Sequence, residues 1–145
     1  MVESFWAIPD ATQLRTPLSI LREQAAALTD QTKGVLVGSA EPHAYSQEEL
    51  INRLLPPDGK LTLWLMVSVP ALNDYRLRVL DYTQPVTLYP GLLRSIHTDT
   101  QQAIENQQSF IDGVKSILSS ESVRNILTSL ISQAGETHFH AHARI

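Results

Sequence analysis

The sequence predicts an α+β fold in which an antiparallel β-meander packs against helices. In residues 61–69, aliphatic residues alternate with polar or aromatic ones, which is the period of a half-buried strand. Across residues 100–131, apolar residues recur at steps of three and four, which is the period of two amphipathic helical segments. Strands in the middle of the chain and helices at its C-terminal end together indicate the α+β class.

The length and composition predict a single globular domain spanning residues 1–145. The chain has 145 residues, of which 43% are hydrophobic and 18% charged, and this is the range of one soluble domain. The longest apolar stretch, residues 61–69, is far shorter than the roughly 20 residues of a membrane helix. Residues 1–15 are expected to form an extended arm with a short strand at residues 5–8, and residues 136–145 a histidine-rich tail.

The first half of the chain contains signals for two helices and one short strand. Pro17 predicts the start of the first helix, because proline at the first helical position removes an N–H that has no partner there. Gly34 predicts its end, and the apolar residues 35–37, two of which are β-branched valines, predict the first strand. A capping-box pattern followed by leucines predicts a short helix over residues 46–55.

The meander is predicted to continue after residues 61–69 with two further strands, at residues 75–82 and 86–89. Strict alternation along residues 75–82 places Leu77 and Val79 on one face. It assigns the opposite face to Arg76, Arg78, Leu80 and Tyr82.

The helical segments are predicted to begin at Asp99 or Thr100. Ser119 and Ser120 interrupt the apolar stripe, so either a kinked helix or a helical hairpin results. Gly135 is the expected C-terminal cap.

Composition argues against several functional classes. Fifteen acidic against eleven basic residues give a formal charge of −4, whereas proteins that bind nucleic acid usually carry a basic excess. The chain has no cysteine, hence no disulfide framework and no thiol nucleophile. The sequence also lacks a nucleophile-elbow motif, a glycine-rich phosphate loop and a signal-peptide pattern. We therefore expect a cytoplasmic protein with no nucleic-acid or membrane partner.

Two histidine-containing patterns are candidates for chemistry. His138, His140 and His142 alternate, so on an extended segment two of them would reach one transition-metal ion. A solvated terminal strand explains the same alternation, and no other cofactor is expected. His97 and Asp99 have the spacing of a general base and its orienting carboxylate, although Asp99 is equally explained as the cap of the following helix.

The second face of the meander is the candidate partner-binding surface. Trp, Tyr, Met and Arg are enriched at protein interfaces, and this face is predicted to present Trp64, Met66, Arg76, Arg78 and Tyr82. The alternative is that the N-terminal arm or residues 46–55 cover the face and make it ordinary core.

These patterns lead to two hypotheses for the function. The first is a non-enzymatic protein-interaction module that self-associates as a homodimer. The alternative is a small-molecule-binding or metal-binding enzyme that uses His97, Asp99 and the C-terminal histidines. Pro85 and Pro90 flank the last predicted strand, and prolines block pairing at a sheet edge. The homodimer is therefore expected to form through the Trp64-containing face or the final helices.

Overall fold

The computed structural model describes residues 3–7, 14–43 and 60–143, with side chains through Thr137. The elements in chain order are α1 (Pro17–Gln31), β1 (Val37–Pro42), β2 (Leu61–Val69), β3 (Tyr75–Gln84), β4 (Gly91–Ser95), β5 (Thr100–Ile104), α2 (Gln107–Leu118) and α3 (Glu121–Ala143). The five strands form one antiparallel sheet in the order β1-β2-β3-β4-β5. Within the described residues, a meander with three α-helices, two of them C-terminal, confirms the α+β class.

The first helix begins where its sequence predicts. The Thr16 hydroxyl accepts a hydrogen bond from the Ser19 N–H at 3.1 Å, and Pro17 follows at the first helical position. Such a cap satisfies one of the free N–H groups at a helix start. Ile20, Leu21 and Ala25 are buried, and α1 packs against β1 and β2. The first strand begins at Val37, two residues later than predicted, and reaches Pro42.

The hydrophobic core lies between one face of the sheet and the helices. From β2 it takes Leu63, Leu65, Val67 and Val69, which confirms the aliphatic face predicted for this strand. Leu61, at the end of the strand, is the exception and is 39% exposed. The helices contribute residues such as Leu21, Phe110, Val114 and Val123 from the opposite side.

The meander differs from the prediction after β3. Residues 85–90 form the connection to β4, with Val86 83% exposed, so the strand predicted at residues 86–89 is wrong. Thr100–Ile104, predicted as the first turn of a helix, is instead β5. Its helix-like spacing is overridden by pairing with β4, which buries Ile104 against the core. Asn106, rather than Asp99, caps α2 by accepting from the Ser109 N–H at 2.9 Å.

The C-terminal helices form two separate segments, as the serine pair predicts. Helix α2 ends at Leu118, and the Ser120 hydroxyl accepts from the Val123 N–H at 3.2 Å in the first turn of α3. The prediction that Gly135 ends the second segment is wrong, because α3 continues through it to Ala143. A single glycine inside a helix costs only about 1 kcal/mol relative to alanine, so the neighbouring residues outweigh it.

Other predicted segments are only partly within the described residues. Glu3–Ala7 of the arm belong to neither helix nor strand, and Phe5 and Trp6 are exposed. The helix predicted over residues 46–55 lies outside the described residues. In the described part of the chain, no helix has both the length and the apolar character to cross a membrane.

Gly38 allows α1 to approach β1 closely, and it yields a matched pair of predictions. A Cβ at Gly38 would lie 2.5 Å from the backbone oxygen of Ala25, so Gly38→Ala forces backbone apart and should lower the unfolding free energy by about 1–3 kcal/mol. At Gly135 a Cβ meets nothing within 4 Å. Gly135→Ala should therefore raise the unfolding free energy by about 0.5–1 kcal/mol. Urea denaturation of both variants measures this, and equal effects would contradict the close approach.

Candidate functional site

The outer face of the sheet brings together four of the five predicted partner-binding residues. On β2, Trp64 and Met66 alternate with the buried leucines and valines. Across the β2–β3 pairing, Arg78 lies opposite Met66, and Arg76 lies opposite Ser68. We call these four residues, Trp64, Met66, Arg76 and Arg78, the Trp64 face. None of them belongs to the buried core cluster.

The indole ring of Trp64 is held between two side chains. The His43 ring stacks on it with a centroid distance of 3.8 Å and an interplanar angle of 9°. The guanidinium carbon of Arg78 lies 4.4 Å from the ring centroid. His43 follows β1 and Arg78 is on β3, so they reach Trp64 from its two opposite neighbours in the sheet. The cation–π contact alone contributes about 0.5–1 kcal/mol at an exposed site.

His43 was not among the residues that the sequence indicates. Its contact with Trp64 depends on the pairing of β1 with β2, where Glu41 lies opposite Trp64. The His43 N–H also donates to the Thr62 carbonyl at 2.8 Å and extends this pairing by one hydrogen bond. Nothing in the local sequence around His43 gives that register, so the signal appears only once the two strands are aligned.

A β-bulge in β3 determines which residues share the Trp64 face. Leu65 lies opposite Leu80, but the next residue, Met66, lies opposite Arg78. Val79 is therefore the extra residue of a bulge, and both Val79 and Leu80 are buried. The extra residue reverses the inward and outward alternation on the two sides of the bulge.

The predicted placement of Leu80 and Tyr82 beside Arg78 on the outer face is wrong for this reason. Tyr82 is fully buried, with its ring centroid 4.7 Å from that of Phe110. Its hydroxyl donates to the Leu88 carbonyl at 2.8 Å. Burial raises the pKa of the Tyr82 phenol well above its usual range. Tyr82 belongs to the core and is not part of the Trp64 face.

Two ion pairs neutralise the acidic residues that lie opposite Trp64 in the sheet. Asp81, which lies opposite Trp64 on β3, is buried and accepts from the Arg94 Nε at 3.0 Å. Glu41, opposite Trp64 on β1, accepts from Arg22 at 2.7 Å. Both of these carboxylates are thus already paired within the fold.

The Trp64 face carries two arginines whose charge no acidic side chain balances within the described residues. Among the residues that the structure describes, neither Arg76 nor Arg78 takes part in an ion pair. Arg76 is exposed, and Arg78 is half-buried against Trp64. This surface of an acidic chain is therefore locally positive.

His97 and Asp99 both lie in the turn between β4 and β5, residues 96–99. The His97 Nε2 lies 2.8 Å from the Arg78 carbonyl oxygen, and a carbonyl only accepts, so Nε2 donates this bond. Ser95 donates in the same way to the Val79 carbonyl at 2.8 Å. Asp99 is exposed with a backbone φ of 51°, and no hydrogen bond joins it to His97 in the described part of the chain. The contact that His97 makes thus stabilises the bulge.

The histidine tail has a different backbone from the predicted one. The extended segment that would place His138, His140 and His142 on one face is wrong, because α3 runs through them to Ala143. Their side chains lie outside the described residues. Elsewhere in the described chain, no group of three or more metal-ligating side chains is present.

An apolar cavity, which Met66 helps to line, lies away from His97 and Asp99. It has a volume of about 190 Å³ and is enclosed by α1, the sheet and the junction of α2 with α3. Leucine and valine side chains line it together with Gln24 and Gln31, and neither His97 nor Asp99 reaches it. Within the described residues, the cavity therefore does not bring His97 and Asp99 together.

Comparisons with protein-family models, with curated proteins and with solved structures found no match to this chain.

The buried Tyr82 phenol predicts a loss of stability at alkaline pH. Its pKa is raised by burial first and by Tyr89 second, so the folded state keeps the proton that the unfolded chain releases near pH 10. The unfolding free energy should fall as pH rises above about 10. Tyr82→Phe should cost about 1 kcal/mol at pH 7 through the lost hydrogen bond, and it should flatten the alkaline decline.

Urea denaturation at pH 7 and at about pH 10.5 measures both effects. The control is Tyr75→Phe, because Tyr75 is 49% exposed and its loss should leave the alkaline decline unchanged. A decline equally steep in Tyr82→Phe would show that Tyr82 is not the group responsible.

Proposed function

We propose that the chain is a non-enzymatic protein-interaction module that binds an acidic segment of a partner protein through the Trp64 face and also self-associates. The observation that carries this proposal is the Trp64 ring held between His43 and Arg78. The described helices contribute their buried side chains to the opposite face of the sheet. The described part of the N-terminal arm is exposed, which speaks against the arm as the cover of this face.

The Trp64 ring supports binding because His43 and Arg78 hold it in place before a partner binds. Tryptophan and arginine are the side chains most enriched among residues that dominate binding energy. A side chain that is already immobilised loses less conformational entropy on association, which for mobile side chains costs about 0.5–1.5 kcal/mol each. Stacking with His43 and contact with Arg78 restrict both Trp64 and Arg78 in this way.

The local charge supports an acidic partner. Arg76 and Arg78 have no carboxylate partner among the described residues, whereas the neighbouring Asp81 and Glu41 are paired. A guanidinium donates two parallel hydrogen bonds to one carboxylate. Met66, which lies opposite Arg78 and two residues from Trp64 on β2, adds adaptable apolar contact area.

The proposal includes a cytoplasmic location, which the absence of cysteine supports. The alternative enzyme hypothesis receives less support, because His97 donates its Nε2 proton to a backbone carbonyl. Asp99 lies in the same turn and makes no hydrogen bond to it in the described chain.

The test uses Trp64 as its own reporter, in a Trp6→Phe background so that Trp64 is the one remaining tryptophan. The probes are 12-residue peptides that alternate Asp or Glu with Phe or Leu, and matched peptides with Lys in place of the acids. We expect the acidic peptides to bind with micromolar affinity and to change Trp64 fluorescence, and the basic peptides to have no effect.

Arg78→Gln should weaken acidic-peptide binding by about tenfold or more, or at least about 1.4 kcal/mol. The matched control is Arg124→Gln, because Arg124 is an exposed arginine of α3, away from the Trp64 face. Binding that both variants weaken equally, or acidic peptides that leave Trp64 fluorescence unchanged, would contradict the proposal.

A further inference from the structure

The two edges of the sheet differ in whether side chains elsewhere in the chain bond their backbone groups. Strand β1 forms one edge and β5 the other. An edge strand presents a row of backbone N–H and C=O groups to which another strand can pair. A further strand can therefore pair with the edge whose backbone groups are not already hydrogen-bonded.

At the β1 edge, two threonine side chains bond the backbone of residues 36 and 38. Thr29 belongs to α1, and Thr32 directly follows this helix. Thr32 Oγ1 accepts from the Leu36 N–H at 3.1 Å and donates to the Leu36 carbonyl at 3.0 Å. Thr29 Oγ1 accepts from the Gly38 N–H at 2.9 Å. These residues are two apart, as expected for groups that point away from β2 in an antiparallel pair.

The same protection extends along β1 to its next outward position. Arg22 donates from Nε to the Ala40 carbonyl at 3.2 Å and bonds the Glu41 carboxylate with its terminal nitrogen at 2.7 Å. Pro42 then ends the strand without a backbone N–H. A second strand would have to displace these contacts to pair with β1.

The β5 edge has no comparable protection. Within the described chain, no side chain bonds the backbone of Thr100–Ile104. The strand contains neither a proline nor a charged residue, and Gln101, Gln102 and Ala103 are exposed. Pro85 and Pro90, expected to guard the last strand, instead precede β4, an interior strand. The expectation that Pro85 and Pro90 block pairing at a sheet edge is therefore wrong.

We propose that two copies of the chain pair through β5, antiparallel and about a twofold axis, to form one continuous ten-stranded sheet. The unprotected hydrogen-bonding groups of β5 are matched by those of an identical antiparallel strand. The strand carries no charge, so two copies meet without like-charge repulsion there. Pairing through the Trp64 face would instead bring Arg76 and Arg78 against their own copies.

This inference specifies the self-association included in the proposed function, but it uses different residues from the Trp64 face. Strand pairing at β5 involves neither Trp64 nor Arg78, which lie on β2 and β3. Failure of one contact can therefore be told apart from failure of the other.

Analytical ultracentrifugation at micromolar concentration tests the dimer. Wild type should sediment with twice the 16.1 kDa mass of one chain. The double variant Gln101→Lys/Ala103→Lys should raise the dimer dissociation constant about tenfold or more, because like charges then face each other across the strand pair. The double variant Gln101→Glu/Ala103→Glu should do the same, and an equimolar mixture of the two should restore a dimer. Restoration on mixing also distinguishes a lost interface from a misfolded variant.

The matched control is Ser122→Lys/Gln133→Lys, because both positions are exposed on α3 and α3 is the other expected dimer surface. This variant should remain dimeric. A monomeric wild type, a dimer that the β5 lysines leave intact, or one dissociated by the α3 lysines or by Trp64→Ser would overturn the proposal. Acidic-peptide binding in the β5 lysine variant reports on the Trp64 face separately and should be unchanged.

Discussion

The β-bulge at Val79 is the constraint on which the arrangement of the sheet faces depends. One extra residue in β3 allows Arg78 to lie opposite Met66 and beside Trp64, while Leu80 lies opposite Leu65 in the core. Without it, strict alternation would turn Tyr82 and Leu80 outward together with Arg78. Because of the bulge, the first half of β3 presents Arg76 and Arg78 on the outer face, and the second half buries Tyr82 in the core.

The bulge is stabilised from the neighbouring hairpin. Strand β3 pairs with β4 only over Asp81–Thr83, so the carbonyls of Arg78 and Val79 lie beyond this pairing. His97 and Ser95 donate to these two carbonyls, and a buried backbone carbonyl without a partner would cost about 1–3 kcal/mol. His97, in the turn that was a candidate for acid–base chemistry, therefore has a structural role, and it shares this role with Ser95 at the end of β4.

The fold class, the boundaries of β2 and the start of α1 were predictable because their signals are local. A period of two over nine residues and a threonine before a proline need no information about distant residues. The errors concern non-local pairing. Thr100–Ile104 has helix-like spacing but pairs with β4, and Tyr82 turns inward because of a bulge in the pairing of β2 with β3. The His43–Trp64 stack was not predictable either, since it depends on the β1–β2 register.

The two proposed contacts differ in how charge acts on them. Each copy carries a formal charge of −4, so two copies repel each other at long range, and salt reduces this repulsion beyond about 8–10 Å. Pairing through the uncharged β5 therefore gains from added salt. An acidic partner is attracted to Arg76 and Arg78 over short distances, and salt weakens that attraction. Salt should therefore strengthen the proposed pairing at β5 and weaken the proposed binding at the Trp64 face, so the salt dependence distinguishes the two proposed contacts.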